Sequence, residues 1–344
     1  MKQARCPLAI LVVGYLLGML TSVHAQTPGQ PDRKIQSSRK IMANQPTIKD
    51  LPYGDDERQV MDVYLAQSDT PTPCVLHIHG GGWLGGDKTR FSLPGGPKAL
   101  LQNGISMVSI NYHYLKQTII NSGSTRGTGP TLPRGDYPTP PVKVPLDDAA
   151  RAMQFVRHHA KQWNINPDRI AVTGGSAGAC SSLWLAFHDD LADPNSDDPI
   201  ARQSTKPYCV ATIGAQTSLD PVQILAWMPN ATYGGHAFGY VWDHSDHTVE
   251  IRSFLKDRDA VLPWIKDYSP YELVTKDDPP VYLFYGNTPD KGQAQKDPTH
   301  SANYGALLAE KLEALGLEYE LVHKGIELPK HKNTTAYLIS KLKQ

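Results

Sequence analysis

The chain has 344 residues, with 34 Lys+Arg against 34 Asp+Glu, 20% charged residues and 40% hydrophobic ones. That balance excludes a collagen-like, coiled-coil or wholly disordered chain, and it leaves no basic footprint for nucleic acid or an anionic membrane. A chain of this length can bury a large core in a single domain of the α/β type.

Lys2 and Arg5 precede a mostly apolar run from Pro7 to Val23, and Val23-His24-Ala25 is a small-x-small cleavage site. Residues 1–25 therefore read as an export signal, which predicts a secreted or periplasmic protein. No other segment is long and apolar enough to cross a bilayer, so no membrane association is expected once the signal is removed. The mature chain keeps Cys74, Cys180 and Cys209. Three cysteines fit neither a disulfide scaffold nor a zinc site, and buried free thiols are expected. Residues 26–50 are polar, carry prolines and show no periodicity, so they read as a linker ahead of a domain over 51–344.

In that domain strands and helices alternate. Strands are expected at Val60–Leu65, Val75–His79, Ser106–Tyr112, Ile170–Thr173, Cys209–Ile213, Val281–Tyr285 and Tyr319–His323. Apolar residues at three- and four-residue steps mark helices over Pro145–Trp163 and Ser301–Leu315, and a last helix spans Thr334–Leu342. The alternation predicts a mostly parallel sheet with helices on both faces. Three insertions stand outside it, at 115–144, 189–206 and 219–273, and long insertions of this kind are either disordered or functional rims of a pocket.

Gly174-Gly175-Ser176-Ala177-Gly178 follows a strand and opens a segment rich in Ala, Leu and Trp. This is a G-x-S-x-G elbow in the strand–turn–helix context it needs. The turn would hold the Ser176 hydroxyl at the strand's C-terminal end as a nucleophile, with the Ala177 amide facing a developing oxyanion. His79-Gly80-Gly81-Gly82-Trp83 closes an earlier strand. Its glycines allow close backbone approach, so the Gly81 and Gly82 amides are expected to complete the oxyanion hole. His79, Gly80 and Trp83 are expected at the substrate, with a core position equally open to Trp83.

The two motifs together resemble the α/β-hydrolase superfamily, in its esterase/lipase branch of hormone-sensitive-lipase-like and carbohydrate-ester-cleaving carboxylesterases. Val60-Met61-Asp62-Val63-Tyr64-Leu65 and Gly85-Gly86-Asp87-Lys88 are similar to that branch as well, and the resemblance covers about residue 50 onward. It implies the α/β-hydrolase fold and the chain order serine, acid, histidine. Distance to the following helix selects Asp297 as the acid, and distance to the preceding strand selects Asp290 as the alternative. The order selects His331, after the last strand, as the base. His323 lies inside that strand, and His300 comes too early and is read as a pocket residue. Two departures are noted. His113 stands where relatives often carry Arg, and the loop before His331 is longer than usual, with no glycine beside the histidine.

These residues imply a secreted serine hydrolase that cleaves short-chain or carbohydrate-linked esters through an acyl-enzyme, without metal or organic cofactor. The alternatives are a peptidase or acyltransferase on the same fold, or a non-catalytic hydrolase-fold binding module. His236, His244 and His247 lack a metal-ligand spacing, and the acidic run from Asp189 to Asp198 lacks a calcium-loop pattern. The physiological ester and the oligomeric state are not legible.

Overall fold

The computed structural model describes residues 45–115, 119–120, 134–243, 246 and 248–344. The export signal, most of the expected linker, His244 and His247 lie outside the described residues.

Eight strands form one sheet: β1 (Ile48–Pro52), β2 (Val60–Tyr64), β3 (Thr72–Ile78), β4 (Ser106–Ile110), β5 (Ile165–Gly175), β6 (Val210–Ile213), β7 (Val281–Phe284) and β8 (Tyr319–Val322). Their order is β1-β2-β4-β3-β5-β6-β7-β8. β2 runs antiparallel to both its neighbours, and every other pair is parallel. The first strand begins three residues ahead of the expected domain start at 51: Ile48, in the stretch read as linker, pairs with Val63, and Leu51 pairs with Met61. Two half-buried apolar residues are too weak a pattern to mark an edge strand.

Alternate residues of the central strands face opposite layers. Leu76, Val108, Val172, Val210 and Leu283 join one core cluster, while Val75, Met107, Ala171, Ala211 and Tyr282 join the other. Burial on both faces explains why these strands read as continuous apolar runs. The helices are α1 (Gly96–Leu101), α2 (Lys143–His159), α3 (Ala177–Phe187), α4 (Pro221–Trp227), α5 (Thr248–Lys256), α6 (Leu262–Tyr268), α7 (Pro270–Leu273), α8 (Ala302–Ala314) and α9 (Thr334–Leu342). α2, α3 and α8 cover the first layer, through residues such as Met153, Leu183 and Leu308. α1 and α9 cover the second, through Leu100 and Leu338.

The stretch 219–273, an insertion in the alternation, holds α4 to α7. These helices have only four to nine residues, too few turns for a 3.6-residue period to emerge. Three of them begin with proline in the first turn, where a missing N–H costs nothing. The acidic stretch stays non-helical and uses its carboxylates locally. Asp190 accepts from the amides of Ala192 and Thr205, and Asp198 pairs with Arg151. Cys74, Cys180 and Cys209 are all free and buried. Among the described residues no helix is long and apolar enough to cross a membrane.

Candidate active site

β5 ends in Gly174-Gly175, and Ser176 makes the turn into α3 with φ 53° and ψ −124°. A side chain in that conformation is strained, and the surrounding packing holds it there. The Ser176 amide donates to Ile213 O at 2.9 Å, and Ser176 O accepts from the Cys180 amide at 2.9 Å. The glycines two positions away are required by contact. A Cβ on Gly178 would sit 2.1 Å from Ile78 O, and one on Gly174 would sit 2.5 Å from Gly178 O. The Ala177 N–H belongs to the first turn of α3, which leaves it without an intrahelical acceptor.

The loop after β3 crosses directly over this turn. A Cβ on Gly80 would lie 2.6 Å from Gly175 O and 3.3 Å from the Ser176 Cβ. Gly81 and Gly82 take φ of 118° and 63°, a region that side chains rarely enter. Gly80 lines the cavity that contains Ser176. His79 and Trp83, also expected at the substrate, are not among the residues lining it. Trp83 is 2% exposed and donates its indole N–H to Ser181 Oγ at 2.9 Å, so it is a core residue. His79 is buried, stacks on Tyr112 with ring centroids 4.2 Å apart, and donates Nδ1–H to Gly80 O at 2.8 Å. Burial lowers its pKa to about 4, so it is neutral at pH 7.

The partner of the serine is His300, not His331. His300 Nε2 lies 3.0 Å from Ser176 Oγ, and its Nδ1 lies 2.9 Å from Asp297 Oδ2. A carboxylate only accepts, so Nδ1 carries the proton and Nε2 is left to accept from the serine hydroxyl. Asp297 caps a three-residue 3-10 turn, Pro298–His300, and also accepts from the His300 amide at 3.2 Å. Two side chains set the height of this turn. Asn287 donates to His300 O at 3.1 Å and accepts from the Ala302 amide at 2.6 Å. Gln216 donates to Thr299 O at 2.5 Å and to Gly214 O at 3.2 Å. Ser92, Gly175, Ile213, Gly214, Asn287 and Asp297 are among the walls of the resulting cavity, about 540 Å3 in volume.

His331 sits on the face of the sheet covered by α9. Its Nδ1 donates to Glu320 Oε2 at 2.6 Å and its amide to Glu320 Oε1 at 2.7 Å. Tyr282 donates to its carbonyl at 2.9 Å, and the Tyr337 ring meets it edge-on. The loop after β8 folds back along its own strand, and this carries His331 away from the serine. Asp290 is exposed, and its backbone, not its carboxylate, is engaged, through Asn303. Of the two acids weighed, Asp297 is the one beside an imidazole. His113, the departure from the family pattern, is held between Asp148 and Asp56. His236 pairs with buried Glu250, and among the described residues no group of three or more His, Cys, Asp or Glu could hold a metal ion.

Relatives extend these observations. A probable isoprenylcysteine α-carbonyl methylesterase of Arabidopsis thaliana is 29% identical over 46% of this chain and 28% of its own length. Endo-1,4-β-xylanase B of Butyrivibrio fibrisolvens is 37% identical over 37% of this chain and 21% of its own. The chain thus spans less than a third of either of these relatives. Among solved structures, a truncated carbohydrate esterase from gut microbiota superposes with a TM-score of 0.59 at 17% identity, covering 88% of this chain and 98% of that one. An acetyl ester-xyloside bifunctional hydrolase from Caldicellulosiruptor lactoaceticus gives 0.52 at 24% identity, covering 77% and 76%. These likenesses show the fold. The family model matches residues 61–122 and 140–299, from the second strand to the residue before His300. The chain belongs to the BD-FAE family, within the esterase branch of the α/β-hydrolases.

Proposed function

We propose that this chain is an exported serine carboxylester hydrolase in which Ser176 is the nucleophile, His300 the base and Asp297 the acid. One observation carries the reading: the unbroken line from Asp297 Oδ2 through the His300 ring to Ser176 Oγ, with both contacts at 3.0 Å or less. Ser176 Oγ attacks the acyl carbon while Nε2 takes its proton, and Asp297 steadies the imidazolium that forms. The charge on the carbonyl oxygen meets the Ala177 amide and those of Gly81 and Gly82, each donor contributing about 3 kcal/mol to transition-state stabilisation. The imidazolium then gives its proton to the leaving alcohol. In the second half, His300 takes a proton from water, which releases the acid from the serine.

The substrate class proposed is a short-chain or carbohydrate-linked ester. A methylesterase, a xylanase and carbohydrate esterases among the relatives and structural neighbours support it. The test is covalent labelling. A fluorophosphonate should add one equivalent to the protein, peptide mapping should place it on Ser176, and hydrolysis of p-nitrophenyl acetate and acetylated xylan should stop in step. Label on another residue, or full activity after labelling Ser176, overturns the reading.

A further inference from the structure

A second cavity, about 490 Å3, adjoins the one that holds Ser176, and Gly80 and Ser92 line both. Its other walls include Gly85, Gly86, Phe91 and Arg90. Arg90 is the only side chain of fixed charge in that lining, and no carboxylate shares it.

Arg90 is exposed, and among the described residues its guanidinium has neither an ion-pair nor a hydrogen-bond partner. The carboxylate nearest in sequence is occupied elsewhere. Asp87 accepts from the Thr89 amide at 2.9 Å, the Thr89 hydroxyl at 2.6 Å and the Asn111 side chain at 3.0 Å. The Arg90 amide is fixed on Asp87 O at 2.9 Å, so the stem starts from a defined point. His79, the other basic side chain in the lining, is neutral and donates its N–H to the backbone. An unpaired planar cation in a cavity also lined by Phe91, two positions from Ser92 in the reacting serine's cavity, suits a carboxylate, which it can hold through two parallel hydrogen bonds.

We propose that this second cavity is a carboxylate subsite, in which Arg90 receives an acidic group that the ester carries beyond its scissile bond. The proposal rests on the reading of Ser176 and His300 as the place where that bond is cleaved. The acid has two sources: the acyl part, as in the half-ester of a dicarboxylic acid, or the alcohol part, as in an acetylated uronic acid.

The experiment compares kcat/KM for matched pairs, p-nitrophenyl hemisuccinate against the butyrate and acetylated glucuronoside against acetylated glucoside, in wild type, Arg90→Gln, Arg90→Lys and Gly85→Ala. The ratio of anionic to neutral ester should fall about tenfold in Arg90→Gln in one pair, recover partly in Arg90→Lys, and shrink as ionic strength rises. The pair that responds identifies the source. A Cβ on Gly85 meets no atom within 4 Å, so Gly85→Ala narrows the cavity without disturbing its walls and should lower the same ratio. Ratios equal in wild type and Arg90→Gln for both pairs overturn the proposal. Titration with methyl glucuronoside and with succinic monoamide, against their uncharged counterparts, reads the subsite without catalysis. Weaker binding of the acid by Arg90→Gln supports the subsite even if Ser176 proves not to be the nucleophile, and equal binding counts against it.

Discussion

The loops that follow β7 and β8 each carry a histidine that donates Nδ1–H to a carboxylate, and among the described residues one of the two histidines faces a serine. His331 and Glu320 are 2.6 Å apart and nearly buried, while His300 and Asp297 are 2.9 Å apart with 42% and 55% of their side chains exposed. By contact length and burial, the first pair looks the better dyad. The difference is direction. The loop after β8 turns back over the sheet toward α9, whereas the turn at Pro298–His300 is pinned above Ser176 by Asn287 and Gln216. A good acid–histidine contact is a structural device until a third group completes it.

Exchanging the histidines breaks the comparison most sharply. His300→Asn should lower kcat for p-nitrophenyl acetate by about 10⁴-fold, and His331→Asn by less than about threefold. If the two losses are reversed, the loop after β8 reaches the serine in solution. The acids should follow with a smaller effect. Asp297 is half exposed, so water can partly replace it, and Asp297→Asn should cost about 10- to 100-fold, well short of a buried triad acid. Asp290→Asn should leave kcat unchanged, and equal losses would show that the acid alternates.

Stability should separate the loops in the opposite sense. Replacing the His331 ring takes away the donor on Glu320 Oε2 and leaves only the backbone amide on Oε1, in a mostly enclosed place, at about 1–3 kcal/mol, and the melting temperature should drop by several degrees. His300→Asn should leave it within a degree or so, because its pair is on the surface. A separate, acid-linked loss comes from beneath the glycine loop after β3. Burial lowers the pKa of His77 to about 3 and that of His79 to about 4, against an ordinary 6.5. The unfolded chain therefore binds more protons than the folded one between these values, and stability should fall as pH drops from about 6.5 and level off near 4 to 3. His77 accepts from the Ser92 amide at 3.2 Å, so its protonation also releases a wall of the cavity. Melting curves at each pH check this, and a flat profile over that window would mean both rings are solvated.

The sheet and its covering helices were legible because two periodicities were clean: continuous apolar runs in β3 to β7 and three- and four-residue steps in α2 and α8. The serine elbow and glycine loop were legible because their chemistry is local, a few residues fixing their own backbone. The histidine was not. Chain order pointed to the last loop, and order says nothing of where a long loop turns. A local signal existed in Asp297-Pro298-Thr299-His300, where a proline-started turn sets an acid and an imidazole on the same side. Trp83 was open between pocket wall and core for a similar reason. Its place beside the glycines suggested a wall, but its left-handed backbone, with φ 57°, turns the indole into the core. The short helices of 219–273 were hidden by length alone.

Acid and base stand three positions apart on one turn, and this makes the proposed machinery portable in a way that a scattered triad is not. A single deletion between the seventh strand and the helix after it would silence the protein while sparing its architecture. A single insertion there could equip a dormant relative. When chains of this lineage are sorted into active and inactive, that connection, rather than the final one, is the place to look.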